Sequence, residues 1–346
     1  DLVLTGASSL ILQNANTYTG ATNVTSGTLE LSGALGAILA SSGIAVTTAN
    51  LTLNNTGAGS NLADRIADAV PVSLASSTLL FRGSDVVSSN ATGFINSTET
   101  IGTLTLAGGL NTVTSTYSGT NLATLTIGTL ARSGGGVALV NGVNLGASTA
   151  TTSAIARTFL TNAPTLVGTT AALGTGINAA AKNTQIVPWL LGEATATTGG
   201  VGTATGTPNT FVTYSAAGGF RPLNPTDEFA TALTDGANVY LAAAATQTAA
   251  NNVNSLVLSG TTPNITQGGF TLTNASGAIL ASVAANVSGG TLAFGSQEAI
   301  VTVQGAATNV LAVSSAVTGT GGLTKARSEE HTSELQSRVD ISYAVF

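Results

Sequence analysis

A short strand motif recurs along this chain of 346 residues. Each copy opens with glycine and places an apolar residue two or three positions later. The copies are Gly27–Leu31, Gly102–Leu106, Gly128–Leu130, Gly290–Phe294 and, more loosely, Gly269–Leu272. A recurring strand is typical of a solenoid, whose stacked repeats bury one shared core. Because stacked repeats expose long faces and need no pocket, the motif favours a surface or scaffold role.

Apolar and small polar residues alternate with period two through most of the sequence, as in residues 50–53, 124–127 and 255–258. This is the pattern of half-buried strands. The strands recur every 12 to 22 residues or so, which is roughly one coil of a parallel β-helix. We therefore predict an all-β fold, a parallel β-helix. Repeated β-sandwiches or barrels are the alternative, because alternation does not distinguish parallel from antiparallel pairing.

The composition limits the class of protein. Charged residues make up 7% of the chain and hydrophobic residues 43%, whereas an ordinary soluble domain has roughly 25% charged residues. The sequence has no apolar run of about 18 residues that would indicate a transmembrane helix. A surface rich in hydroxyl and amide groups suits an extracellular or cell-surface protein.

Several classes of site are disfavoured by what the sequence lacks. It contains no cysteine, which removes disulfides, thiolate metal sites and cysteine nucleophiles. The net charge is −6, and the basic residues are scattered rather than clustered, which disfavours nucleic-acid binding. The first residues resemble a strand repeat rather than a signal peptide. We expect an internal fragment whose signal and anchor lie outside it.

The middle of the chain departs from this rhythm. We predict β-helix coils in residues 1–150 and 246–326, with irregular coils and a hairpin-like excursion in residues 151–245. The excursion contains the only tryptophan, Trp189, together with Phe211 and Tyr214. We interpret these three aromatic residues as a small local core. A ligand-binding aromatic surface is the alternative, and they are the only candidate ligand residues in the chain.

The last twenty residues differ from everything before them. Residues 327–346 contain no glycine and carry the only histidine, His331. Their sequence resembles the in-frame translation of a sequencing adapter, so we expect an artefactual tail that is not part of the fold. Without the tail the chain has no histidine, the commonest general base and metal ligand.

Glycoside hydrolysis requires a pair of carboxylates that face one another. Only two close sets occur, Asp64 with Asp68, and Asp227 with Glu228 and Asp235. Both lie in polar, turn-like segments and are interpreted as solvated faces or local salt bridges. There is also no phosphate-binding glycine loop, nucleophile elbow or calcium-binding nonapeptide. We expect no catalytic residue, cofactor or metal.

Two segments resemble a known family. Asn16–Leu31 reads Asn-Thr-Tyr-Thr-Gly, then a link, then Gly-Thr-Leu-Glu-Leu, and Gly321–Lys325 reads Gly-Gly-Leu-Thr-Lys. Both are similar to parts of the autotransporter-associated β-strand repeat. The resemblance implies a right-handed parallel β-helix, secretion, and display at or beyond the bacterial outer membrane. It implies no catalytic residue.

The sequence therefore predicts a non-catalytic passenger fragment of a secreted or surface-displayed bacterial repeat protein. Its partners would be a carbohydrate or protein surface ligand, or further copies of itself through self-association, and its role adhesion. The alternatives are a β-helix polysaccharide lyase or hydrolase, and a carbohydrate-binding module.

Overall fold

A computed structural model of the chain describes residues 1–86, 95–117, 121–143, 145–146, 155–168, 181–192, 210–305 and 308–328. These residues divide into two compact units. Unit 1 takes the described residues of Asp1–Leu166 and Trp189–Asn224. Unit 2 takes those of Val167–Ala172, Ala180–Pro188 and Pro225–Phe346.

Unit 1 is built on sixteen strands, numbered in chain order, of which β14 begins with two residues of unit 2. They are β1 (Leu2–Leu4), β2 (Ser9–Leu12), β3 (Thr22–Val24), β4 (Thr28–Leu31), β5 (Ile44–Thr47), β6 (Asn50–Asn54), β7 (Val72–Ala75), β8 (Thr78–Arg82), β9 (Asn96–Gly108), β10 (Leu110–Thr116), β11 (Leu122–Arg132), β12 (Val137–Gly142), β13 (Ile155–Leu160), β14 (Val187–Gly192), β15 (Thr210–Ser215) and β16 (Gly219–Pro222).

These strands alternate between two sheets. The odd-numbered strands from β1 to β13 form a seven-stranded sheet, and the even-numbered strands with β15 form a nine-stranded sheet. Neighbouring strands such as β2 and β4, or β4 and β6, pair in parallel without a change of register. Each coil therefore adds one strand to each sheet, which is a solenoid-like topology.

The core of unit 1 consists of aliphatic columns that run across the strands. In the nine-stranded sheet, Leu10, Leu29, Leu51, Leu79 and Val113 occupy equivalent positions on successive strands. The three central leucines are fully buried. Equivalent side chains stack at about the 4.8 Å strand spacing, so each coil covers the apolar row of the one before.

A hairpin ends the nine-stranded sheet. Strands β15 and β16 pair antiparallel from Val212 with Pro222 to Ser215 with Gly219. The hairpin joins the sheet through β14, which pairs in parallel with β12. The strands of this hairpin continue a sheet of the coils.

Unit 2 is built on thirteen strands. They are β17 (Asn238–Leu241), β18 (Ala245–Thr246), β19 (Asn251–Val253), β20 (Ser255–Leu258), β21 (Ile265–Thr266), β22 (Thr271–Asn274), β23 (Ala278–Ala281), β24 (Ala285–Ser288), β25 (Thr291–Ala293), β26 (Ala299–Gln304), β27 (Leu311–Val313), β28 (Ala316–Thr318) and β29 (Leu323–Ser328).

Every third strand of unit 2 joins the same sheet. This gives one five-stranded sheet from β17 to β29 and two four-stranded sheets, all paired in parallel. One coil therefore has three sides here, where a coil of unit 1 has two. Each side contributes fully buried side chains to one core, including Leu256, Ile265 and Leu272.

The prediction of an all-β chain with mostly parallel sheets is confirmed. The described residues contain no helix and no closed sheet, so the parallel pairing argues against the barrel alternative. Among the described residues, unit 1 ends at Leu166, resumes at Trp189 and ends again at Asn224, all inside the segment predicted as irregular. Of the expected tail, Arg327 and Ser328 lie in β29, and residues 329–346 lie outside the described part.

Candidate functional site

The recurrent Gly-Thr-Leu strands place their leucines inside and their polar residues outside. In β4, Leu29 and Leu31 are fully buried, whereas Thr28 and Glu30 are half-buried on the opposite face. In β25, Leu292 is buried and lies directly beside Leu272 of β22. The motif thus builds the core with one face and the polar surface with the other, as a period of two requires.

The motif needs glycine because the previous coil passes very close. Gly27 has φ of +71°, and a Cβ at this position would overlap the carbonyl oxygens of Gly6 and Ser8. A Cβ at Gly102 would lie 2.6 Å from the carbonyl oxygen of Ala69. Only glycine adopts the left-handed backbone at Gly27 and admits this approach without strain.

The Asn-Thr-Tyr-x-Gly segment of the N-terminal repeat joins one coil to the next. Asn16 donates from its backbone N–H to the carbonyl of Ala37 at 2.9 Å, and from Nδ2 at 3.2 Å. The Tyr18 hydroxyl is 2.7 Å from the hydroxyl of Thr22, which lies 2.9 Å from that of Ser41. Burial raises the pKa of Tyr18, and the hydrogen bond to Thr22 opposes that rise. These contacts hold the coils in register.

The three aromatic candidates differ in their exposure to solvent. Trp189 is half-buried on β14, but Phe211 and Tyr214 of β15 are 1% and 6% exposed. The Tyr214 hydroxyl donates to the Leu160 carbonyl at 2.8 Å, and its ring meets Phe220 edge-on at 5.2 Å. Phe211 and Tyr214 therefore offer no exposed face on which a sugar ring could stack.

The first acidic set faces solvent. Asp64 and Asp68 are both exposed, as expected of a solvated turn. Between them, however, Arg65 is fully buried, although its neighbours predicted an exposed side chain.

The second acidic set is divided by burial. Asp235 is exposed, and its carboxylate accepts the backbone N–H of Asn252 at 2.8 Å. Glu228 is fully buried and accepts the Thr184 hydroxyl at 3.0 Å, so the expected solvated face is wrong for this residue. One carboxylate of this set is therefore inside the core, and another is exposed beside β19.

The Arg65 guanidinium holds the turns of two coils together. Its nitrogens donate to the carbonyls of Gly33, Gly36 and Ser60 at 2.7–3.0 Å, and to Oδ1 of Asn55 at 2.7 Å. Burial lowers the pKa of Arg65, and the Glu99 and Glu30 carboxylates oppose that shift. A planar cation with several donors suits this role, since it satisfies four acceptors from one position.

Glu99 is another buried ionisable residue that was not anticipated. It lies on β9 with no exposed surface, and its carboxylate accepts the backbone N–H groups of Arg65 and Ile66 at 3.0 Å. Burial raises its pKa to about 8, against these two hydrogen bonds. The alternation of the sequence does indicate that Glu99 is buried. It occupies the same inward-facing side of β9 as Ser97 and Ile101.

The described residues hold no group of three or more histidine, cysteine, aspartate or glutamate side chains that could bind a metal ion. A cavity of about 10 Å³ inside unit 1 is lined by apolar residues including Leu104, Val113 and Phe220. It is large enough for one water molecule at most. In the described part of the chain, no helix is long and apolar enough to span a membrane.

Comparison with known protein families gives a match at the N-terminus. Residues 2–31 match the family model of the passenger-associated-transport-repeat. The matched residues contain β1 to β4, which are the first coil of unit 1 and the two strands of the second. No curated protein and no solved structure matches the chain. The N-terminal coils are therefore similar to an autotransporter passenger repeat, and they contain the hydrogen bonds of Asn16 and Tyr18 described above.

Proposed function

We propose that this chain is part of the passenger of a secreted or surface-displayed bacterial protein, and that it acts as a non-catalytic adhesive or self-associating scaffold. The coils of both units would form right-handed parallel β-helices, the hand that crossovers between parallel strands almost always take. Localisation at the cell surface or outside the cell follows from the same proposal.

The observation that carries the proposal is the position of the matched repeat. Residues 2–31 form the first coil and both strands of the second, and later coils extend the same two sheets in parallel. Leu51 and Leu79 continue the column begun by Leu10 and Leu29. The passenger repeat and the rest of unit 1 are therefore one stack with a common core.

The outer surface suits adhesion through many weak contacts. On the seven-stranded sheet, Thr98, Thr100 and Thr103 of β9 lie beside Thr124, Thr126 and Thr129 of β11 in a regular array. Each hydroxyl can donate and accept a hydrogen bond. Repeated weak contacts of this kind add up when one molecule engages several at once. A carbohydrate or protein ligand, or a second passenger, would bind to such a surface.

Surface display can be tested because the chain has no cysteine. A single reporter cysteine would be introduced into the gene in the bacterium that encodes it, at the exposed turn residue Ala58. Intact cells and their medium would be treated with a membrane-impermeant maleimide. We expect Ala58→Cys to be labelled without lysis. Ala123→Cys, at a fully buried position of β11, is the control and should react only after denaturation.

Labelling of Ala58→Cys only after lysis would contradict surface display. Adhesion is tested separately, by measuring the retention of protein-coated beads on a panel of glycans and host matrix proteins, and self-association by analytical ultracentrifugation. Absence of all three activities would contradict the adhesive role. Release of unsaturated or reducing sugars from the glycans would favour the lyase or hydrolase alternative instead.

A further inference from the structure

Unit 2 contains a column of buried polar side chains at one corner of its coils. Gln247, Gln267 and Ser315 follow the strands β18, β21 and β27, and Gly289 takes the same position after β24. The strand registers place these four residues on successive coils. The two glutamines and the serine are at most 8% exposed.

Hydrogen bonds fix the orientation of both glutamine amides. Nε2 of Gln247 donates to the carbonyls of Ala249 and Thr271 and to Oδ1 of Asn251, at 3.2–3.3 Å. Nε2 of Gln267 donates to the carbonyl of Thr291 at 2.8 Å. Exchanging nitrogen and oxygen would place Oε1 against these acceptors, so the assignment follows from the network.

The side-chain oxygens of this column have no hydrogen-bond partner in the described part of the chain. Oε1 of Gln247, Oε1 of Gln267 and Oγ of Ser315 are buried, and no group among the described residues forms a hydrogen bond with them. Gly289 has no side chain that could donate to Gln267. Buried acceptors are almost always paired with protein or with ordered water, because leaving them unpaired is costly.

The spacing of the coils fits a bridging water. Gln247 and Gln267 lie on adjacent coils, whose equivalent atoms are about 4.8 Å apart. A water that donates to two oxygens at about 2.8 Å each would do so at an angle of roughly 115°, near its own tetrahedral geometry. We propose that this corner is a binding site for internal water, with one molecule bridging the two glutamine oxygens and further molecules extending toward Ser315.

Water fits the chemistry of the corner better than a metal ion does. The column offers two amide oxygens and one hydroxyl, without a carboxylate. Calcium and magnesium sites use several oxygen ligands, among them carboxylates. The three unpaired oxygens can all accept a hydrogen bond, so the ligand must be a hydrogen-bond donor. Water is such a donor, and one molecule fits the spacing between two coils.

The site can be tested on the full chain in two ways. A crystal structure should show ordered water within hydrogen-bonding distance of both Oε1 atoms. In solution, oxygen-17 magnetic relaxation dispersion counts water molecules with long residence times. We expect Gln267→Met, which keeps the length but removes the amide, to lose at least one long-lived water. Gln13→Met, at an exposed position, is the control and should lose none.

Three outcomes would overturn the proposal. One is a wild-type crystal structure in which the Oε1 atoms bind protein donors. Another is an unchanged count of long-lived waters in Gln267→Met. The third is an anomalous signal at the corner after a rubidium soak, which would assign the site to a monovalent cation. The wild-type measurements decide the question even if Gln267→Met does not fold.

Discussion

At the scale of single residues, glycine sets how closely two coils can approach. Gly27 has a left-handed backbone, and its Cα faces two carbonyl oxygens of the previous coil. We expect Gly27→Ala to destabilise unit 1 by more than about 2 kcal/mol, because the left-handed conformation and the steric overlap both oppose a Cβ. Urea denaturation followed by circular dichroism would measure the change.

Gly59 provides the matched control for this substitution. Its φ is +76°, but a Cβ there would have no atom within 4 Å. Gly59→Ala should therefore show only the backbone cost, about 1–2 kcal/mol. Equal effects of the two substitutions would mean that close packing of the coils does not restrict Gly27.

Glu99 should make the stability of unit 1 depend on pH. Burial raises the pKa of its carboxyl from 4.5 to about 8, so between these values the folded protein holds a proton that the unfolded chain releases. This contribution to stability is fully present below pH 4.5 or so and is lost as the pH rises toward 8, with a slope of at most about 1.4 kcal/mol per pH unit. Denaturation midpoints across this range would measure it.

The variant Glu99→Gln isolates this effect, because glutamine cannot titrate. We expect the decline in stability between pH 5 and 8 to flatten in Glu99→Gln. Asp68→Asn, which changes an exposed carboxylate, should keep the wild-type slope. A wild-type stability that rises with pH over this range would mean that the folded protein holds Glu99 ionised.

The sequence predicted Leu29 and Leu31 as buried, but it did not predict the burial of Arg65 and Glu99. Period two identifies the inward face of a strand, and Glu99 lies on that face of β9. Its charge nevertheless favours an exposed side chain unless hydrogen-bonding partners are known. Those partners are backbone groups of a turn more than thirty residues away. A local sequence pattern cannot predict so distant a contact.

At the scale of elements, one side chain fixes the turns that connect the strands of unit 1. Arg65 binds carbonyls of the turn between β4 and β5 and of the turn after β6. We expect Arg65→Lys to cost at least about 3 kcal/mol, because one ammonium cannot replace the four bonds and leaves buried carbonyls unpaired. Thermal unfolding would detect the loss.

The control for this substitution is Arg82→Lys, since Arg82 is exposed at the end of β8. Its effect should stay within about 0.5 kcal/mol, as for most surface changes. Hydrogen exchange adds a second readout for Arg65→Lys. The amide hydrogens of residues 33–38 should exchange faster, and unchanged protection there would contradict the clamping role.

Strand positions were predictable, whereas the shape of a coil was not. Alternation marks segments such as β4, β6 and β20, and repetition predicts their parallel stacking. Two-sided coils in unit 1 and three-sided coils in unit 2 contain strands of the same pattern. Short corners occur in both units, since three residues connect β17 to β18 in unit 2 and three connect β3 to β4 in unit 1. The geometry of a corner depends on packing between coils, which the period of the strands does not predict.

At the scale of the whole molecule, the chain carries few charges. Only 7% of the residues are charged, the net charge is −6 and the sequence pI is about 4.6. Little charge repulsion therefore separates two copies, and what there is disappears near the pI. A protein of this kind associates readily at mildly acidic pH, which is relevant to a proposed self-associating passenger.

We expect light scattering to rise reversibly as the pH falls toward 4.6, while the β-sheet circular dichroism signal stays constant. Unit 1 should remain folded there, because the raised pKa keeps Glu99 protonated and stabilising. Removing two exposed carboxylates in Asp64→Asn/Asp68→Asn raises the pI, so its scattering maximum should lie at higher pH. Scattering accompanied by loss of the β-sheet signal would instead indicate acid unfolding, and association would then reflect exposed core residues rather than the native surface.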